Sequence, residues 1–288
     1  MDNNIIKQLL TAQRNEITEY HIYSKLANRI KNKHNSKVLQ KIANDEKRHY
    51  DFWKTITGKD VKPSRFKVFY FTFLSRLFGI TFPIKLMEKG EERAQLDYDE
   101  LAKEIPGARQ IAVDEKQHEE KLISFIKEEQ LNYIGSIVLG LNDALVELTG
   151  TLAGLTFALQ NTKIIGAAGL ITGIAASFSM AASEYLSHKS EGKNENALRA
   201  SVYTGIAYVL TVVLLIMPYF LLTNYFVCLG ITLLVAISII FFFNYYLAVV
   251  KDLSFRERFL EMVFLSLGVA AITFGIGFII RKYLGFEI

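Results

Sequence analysis

Two eight-residue phrases in this chain carry the same potential chemistry. Ile42-Ala43-Asn44-Asp45-Glu46-Lys47-Arg48-His49 returns as Ile111-Ala112-Val113-Asp114-Glu115-Lys116-Gln117-His118, so Glu-x-x-His occurs twice inside a shared IAxDEKxH frame. On a helix, residues three apart share a face, and each copy therefore presents a carboxylate and an imidazole together. A hard oxygen with a borderline nitrogen suits iron or manganese. One Glu-x-x-His on a charged helix is usually a solvated face; two in matching phrases imply two halves of one site. The echo continues upstream, where Glu16, Tyr23, Leu26 and Ala27 repeat as Glu91, Tyr98, Leu101 and Ala102 in an E-x6-Y-x2-L-A pattern.

These residues need helices to position them. Apolar residues at helical spacing, from Ile5 and Leu9 to Ile22 and Leu26, predict a first helix over residues 2–30. A second is expected from a Ser36 cap to about Thr57, closed by Gly58. A third should cover residues 84–105, and Pro106-Gly107 separates it from a fourth that carries Glu115 and His118. Two helices giving a Glu each and two giving Glu-x-x-His is the arrangement of carboxylate-bridged di-iron bundles. On these motifs the first 130 residues resemble the rubrerythrin and ferritin-like family. The resemblance implies a di-metal site for Fe2+ or Mn2+ with ligands Glu16, Glu46, His49, Glu88, Glu91, Glu115 and His118. Glu19 is the alternative to Glu16, which is preferred for its Tyr23 echo. Glu88 lies one turn before Glu91, where rubrerythrins also place a carboxylate. Tyr20, Tyr23 and Tyr98 read as core or supporting residues, and His21, His34 and His188 as surface or packing residues.

Composition breaks sharply near residue 131. Most charge precedes it and long apolar blocks follow, so the fold class expected is all-α: a four-helix ferritin-like bundle over 1–130 and a five-helix transmembrane domain over 131–288. The net charge of +4 averages these unlike halves, and no nucleic-acid partner is expected. Cys228 is the sole cysteine, which excludes an intramolecular disulfide. The polar, amphipathic first residues do not resemble a cleavable secretory signal.

Residues 66–82, rich in Phe and Tyr, invite reading as a membrane span. Arg76 interrupts a run shorter than the ~20 apolar residues a bilayer requires. A single crossing there would also leave Glu16 and Glu46 on one side and Glu91 and Glu115 on the other. The segment is expected instead to lie in the membrane surface, with Lys67 and Arg76 near headgroups.

Five spans are expected at about 133–159, 164–185, 201–222, 226–250 and 259–280. The connections after the second and fourth hold His188, Lys189, Lys193 and Arg199, then Lys251, Arg256 and Arg258. The positive-inside rule then places the N-terminal domain in the cytoplasm and the C-terminus outside a multi-pass cell-membrane protein. The first span contains Asp143 and Glu147, the second Met180 and Glu184, and ionisable groups at such depth usually line a polar pathway.

Gly140-Leu141-Asn142-Asp143-Ala144 and Ser179 to Ser187 (SMAASEYLS) resemble the GLNDG and SMAxGEYxS motifs of the vacuolar iron transporter family. Pro218 and the Arg256 to Met262 lead into the fifth span extend the resemblance. It implies export of Fe2+ or Mn2+ from the cytosol against protons by a homodimer in the lipid bilayer, along a path including Asp143, Glu147, Met180 and Glu184. Ala144 and Ser183 replace family glycines, and the Glu-rich insertion of plant members is missing between Ser187 and Ala197, so the bundle would substitute for it. Two alternatives stand beside the exporter: a membrane-anchored di-iron ferroxidase or peroxide-reducing enzyme, and a bundle that only dimerises the transporter. Catalysis is thus an accessory expectation, with no catalytic residue assigned.

Overall fold

Helix is the only regular structure found among the described residues of the computed structural model, which are 3–94, 105, 107–125, 133–192 and 194–284. The chain divides into two compact units, Met1–Glu128 and Glu129–Ile288.

In the first unit α1 (Asn3–Ala27) and α2 (Lys33–Thr57) form an antiparallel pair. Ser36 does not cap α2 as expected. Asn32 does, its Oδ1 accepting from the His34 and Asn35 amides at 2.9 and 3.3 Å, while the Ser36 hydroxyl donates to the Ala27 carbonyl at 2.8 Å. Gly58 closes α2 with φ 64°, a conformation glycine adopts without strain. The crossover is α3 (Arg65–Phe78), capped by Ser64 and seated through Val68, Leu74 and Ser75. Then α4 (Thr81–Ala94) begins three residues earlier than the sequence suggests, because Pro83 falls in the first turn, where its missing N–H is not needed. The remainder of the expected third helix lies outside the described residues. In front of α5 (Ala108–Phe125), an added Cβ on Gly107 would run into the Phe52 ring, so glycine permits this approach to α2. Ile22, Leu26, Leu39, Ile42, Ile84 and Leu122 join all these helices except α3 in one apolar core, and Val68 brings α3 into it.

The second unit comprises α6 (Ile134–Leu159), α7 (Thr162–Ser190), α8 (Asn194–Leu221), α9 (Tyr225–Val250) and α10 (Phe255–Leu284). Each contains a stretch long and apolar enough to cross a bilayer. Asn161 and Asn224 cap α7 and α9, each accepting from two amides, which accounts for the short polar connections. The helices approach through small residues, as spans do when apolar burial alone gives no drive to associate. An added Cβ would strike the Thr204 carbonyl at Gly140 and the Gly154 carbonyl at Gly277, fixing α6 directly against α8 and α10. Thr273 Oγ1 donates to the Gly150 carbonyl at 2.6 Å and Thr204 Oγ1 to that of Ser136 at 3.0 Å, tying the same contacts. Leu145, Leu148, Leu152, Tyr208 and Ile216 form the core, which includes the buried Cys228 thiol.

Candidate metal centre and membrane carboxylates

Helices α2 and α5 bring the two repeated phrases face to face. The His49 and His118 rings stack with centroids 5.9 Å apart. Each glutamate spans both imidazoles. Glu46 has Oε1 3.2 Å from His118 Nδ1 and Oε2 3.7 Å from His49 Nδ1; Glu115 has Oε1 3.0 Å from His49 Nδ1 and Oε2 3.8 Å from His118 Nδ1. The arrangement is a local pseudo-twofold, with each carboxylate closer to the imidazole of the opposite phrase. The outer nitrogens follow the same rule: His118 Nε2 meets Asp45 at 3.1 Å and His49 Nε2 meets Asp114 at 3.3 Å. These aspartates fix the rings so that both Nδ1 atoms point inward.

Glu16 joins from α1, with Oε2 3.4 Å from His49 Nδ1 and Oε1 accepting from Trp53 Nε1 at 3.2 Å. One ligand atom each from Glu16, Glu46, His49 and Glu115 can be chosen within 4.8 Å of one another. Glu16 Oε2, Glu46 Oε2, His49 Nδ1 and His118 Nδ1 are buried without a hydrogen-bond partner. Four inward-facing orphans, all metal-ligand atoms, make a donor set that a divalent cation would satisfy.

The electrostatics describe a site charged by mutual neutralisation. Burial opposes protonation of His118, yet the Glu115 and Glu46 carboxylates facing its Nδ1 outweigh it and raise its pKa to about 10. His49 is raised further still, against burial, by Glu115, Glu16 and Glu46. Burial also works against ionised Glu115, but His118 and His49 hold it down to about 2. Glu16 goes the other way: burial lifts it well above the usual carboxylate range, and the Glu46 and Glu115 charges add to this against His49. Glu19, one turn on, is raised to about 8 by burial and by the charges of Glu16 and Glu115.

Of the expected ligands, the structure thus brings together Glu16, Glu46, His49, Glu115 and His118. Glu88 Oε2 lies 3.6 Å from Lys85 Nζ on α4. The Glu91 side chain, and Tyr98 entirely, lie outside the described residues. Sequence reasoning missed Asp45 and Asp114, although the repeated phrase itself contains both.

In the membrane unit, buried Glu184 accepts from Ser136 Oγ at 2.6 Å and lies 3.3 Å from His188 Nε2. His188 was expected at the surface or in packing; its i+4 spacing from Glu184 was the available signal. Glu147 accepts from Tyr208 at 2.8 Å, half-buried Asp143 stands one turn before it on α6, and Met180 packs against the apolar core.

The Rubrerythrin family model matches residues 1–72, and the VIT family model matches residues 134–201. No curated protein matches the chain significantly. Residues 1–72 are thus similar to the rubrerythrin, ferritin-like type and residues 134–201 to the VIT type, which matches the expected fusion of a ferritin-like segment with a VIT-type membrane segment. The chain is a multi-pass membrane protein.

Proposed function

We propose that this protein exports Fe2+ and/or Mn2+ from the cytosol by proton antiport as a homodimer, and that its N-terminal bundle binds or senses the same ions. Glu16, Glu46, His49, Glu115 and His118 hold the cargo, with Glu88 and Glu91 as the further ligands that the sequence offers. The N-terminal unit and the α7–α8 connection are cytosolic, with the C-terminus outside, on the charge asymmetry of the connections.

The observation that carries the reading is Glu184, a carboxylate buried in a span yet held by Ser136 and His188 near the cytosolic ends of α6 and α7. Asp143 lies seven residues beyond Ser136, about 10 Å further along α6. A cation entering at Glu184 meets Asp143 and Glu147 next, with the Met180 thioether supplying a softer donor that favours iron or manganese over magnesium. Carboxylates that release an ion can take up a proton instead, which supports exchange of one for the other.

Proteoliposomes loaded with a metal-sensitive dye test the path. Asp143→Ala and Glu184→Ala should each reduce Fe2+ and Mn2+ flux at least tenfold without altering the assembly; unchanged flux in both rejects the path. The paired imidazoles and bridging carboxylates also favour a second reading, a ferroxidase or peroxide-reducing bundle. Rapid O2 or peroxide consumption with Fe2+, without ion flux, would establish it instead.

A further inference from the structure

The outer side of α3 combines two features that the metal chemistry does not use. Phe66, Phe69, Phe73 and Leu77 recur at helical spacing and are 75, 68, 46 and 59 % exposed, a ridge of aromatic and aliphatic side chains turned away from the bundle. Beside it, a cavity of about 380 Å³ opens between α1 and α3. His21, Lys25, Arg65 and Arg76 line it together with Phe69 and Phe73, and no carboxylate does. Residues 61–87 contain Lys62, Arg65, Lys67, Arg76 and Lys85 and no Asp or Glu. Among the described residues Arg65 and Arg76 have no anionic partner, whereas Lys67 turns back to Asn15 Oδ1 at 3.5 Å.

We propose that α3 is a lipid-docking helix, its Phe66–Leu77 ridge inserted among acyl chains and the cavity between α1 and α3 receiving the phosphate of an anionic phospholipid headgroup. An in-plane amphipathic helix binds through buried apolar area plus attraction of its cations to anionic lipid. Phe69 and Phe73 belong to both the ridge and the cavity wall, which sets the cationic pocket at the edge of the inserted surface, at headgroup depth. The bilayer is within reach by covalent continuity: residues 126–133 join α5 to the first span, and a fully extended chain of that length covers about 30 Å at most. The inner face of α3 is already committed, through Val68 to the core and through Arg29 Nη1, which donates to Ser75 Oγ at 2.8 Å, so the outer face is the one left to dock.

The full chain carries its own control, because its single tryptophan, Trp53, is fully buried. Full-length Phe69→Trp is reconstituted with brominated lipids in vesicles of phosphatidylcholine alone or mixed with phosphatidylglycerol. In the mixture the added indole should be quenched about twofold or more beyond the unaltered chain, with excess inorganic phosphate making no difference. Phosphatidylcholine alone, or Arg65→Glu with Arg76→Glu in the mixture, should remove most of that quenching. Equal quenching in both vesicle types, or full quenching in the charge-reversed variant, overturns the headgroup pocket. No added quenching in either, with Phe69→Cys instead forming a disulfide between two copies, assigns the face to a second chain and overturns the proposal. Metal flux is not the readout, so failure here leaves the transport reading separately testable.

Discussion

Loading the bundle with metal should expel protons, and the charge balance of the site says how many. With pKa about 10, His118 at pH 7 is neutral in about one molecule in a thousand, and His49 is held protonated more strongly. Both Nδ1 atoms point into the cluster, so a cation binding there must displace both protons. Glu16, raised well above the usual carboxylate range, loses a third when it becomes a ligand. Metal ligands must be deprotonated, and each proton displaced raises log K by one per pH unit. The sign follows: acid weakens binding, and between pH 6 and 8 the slope should lie between about +2 and +3. Anaerobic Mn2+ or Co2+ titrations of the full chain in detergent, by calorimetry in buffers of different protonation enthalpy, count the protons directly. The His49→Ala, His118→Ala double variant subtracts any contribution from the membrane carboxylates. A slope below about +1, with less than one proton released, would mean that the imidazoles are neutral before loading, and the charge balance inferred here would be refuted.

Asp114→Asn and Asp45→Asn should each weaken Mn2+ binding by about 10–100-fold with unchanged helical circular dichroism, since they release the outer nitrogen of the opposite histidine; unaltered affinity would show that these pairs do not position the rings. Trp53 donates to Glu16 Oε1, so its fluorescence should be quenched by Fe2+ or Mn2+ and saturate at about two equivalents, and Glu16→Ala should lessen the response. A flat titration in the intact chain counts against Glu16 as a ligand. Gly277→Ala, whose new Cβ would strike the Gly154 carbonyl, should destabilise the membrane unit by about 1–3 kcal/mol in thermal unfolding followed by size exclusion. Gly268→Ala, with nothing nearby, is the control and should leave the melting temperature unchanged.

Much of this was legible in the letters because helical spacing is short-range. The two Glu-x-x-His pairs and the five spans each follow from periodicity or from a repeat. What the spacing could not supply was contact across helices. Asp45 stands next to Glu46 in sequence, yet its partner is His118 on α5, and only the packing of α2 against α5 reveals it. Ser36 is a good capping residue, but Asn32 reaches the free amides first and Ser36 is drawn to the end of α1. Glu184 and His188 could have been paired by their spacing alone; the third member, Ser136, comes from another span.

Within the doubled phrase, the letters that differ face outward, Arg48 reaching back only to Asp45. Asn44 against Val113 and Arg48 against Gln117 are exposed in both copies, whereas Ile, Asp, Glu and His recur unchanged on the inner side. Because each phrase grips the imidazole of the other, a change at Asp45 is felt first in the second copy, at His118, and one at Asp114 in the first, at His49. A substitution in one phrase is thus read at the imidazole of the other, and each phrase acts as the template against which the other is held.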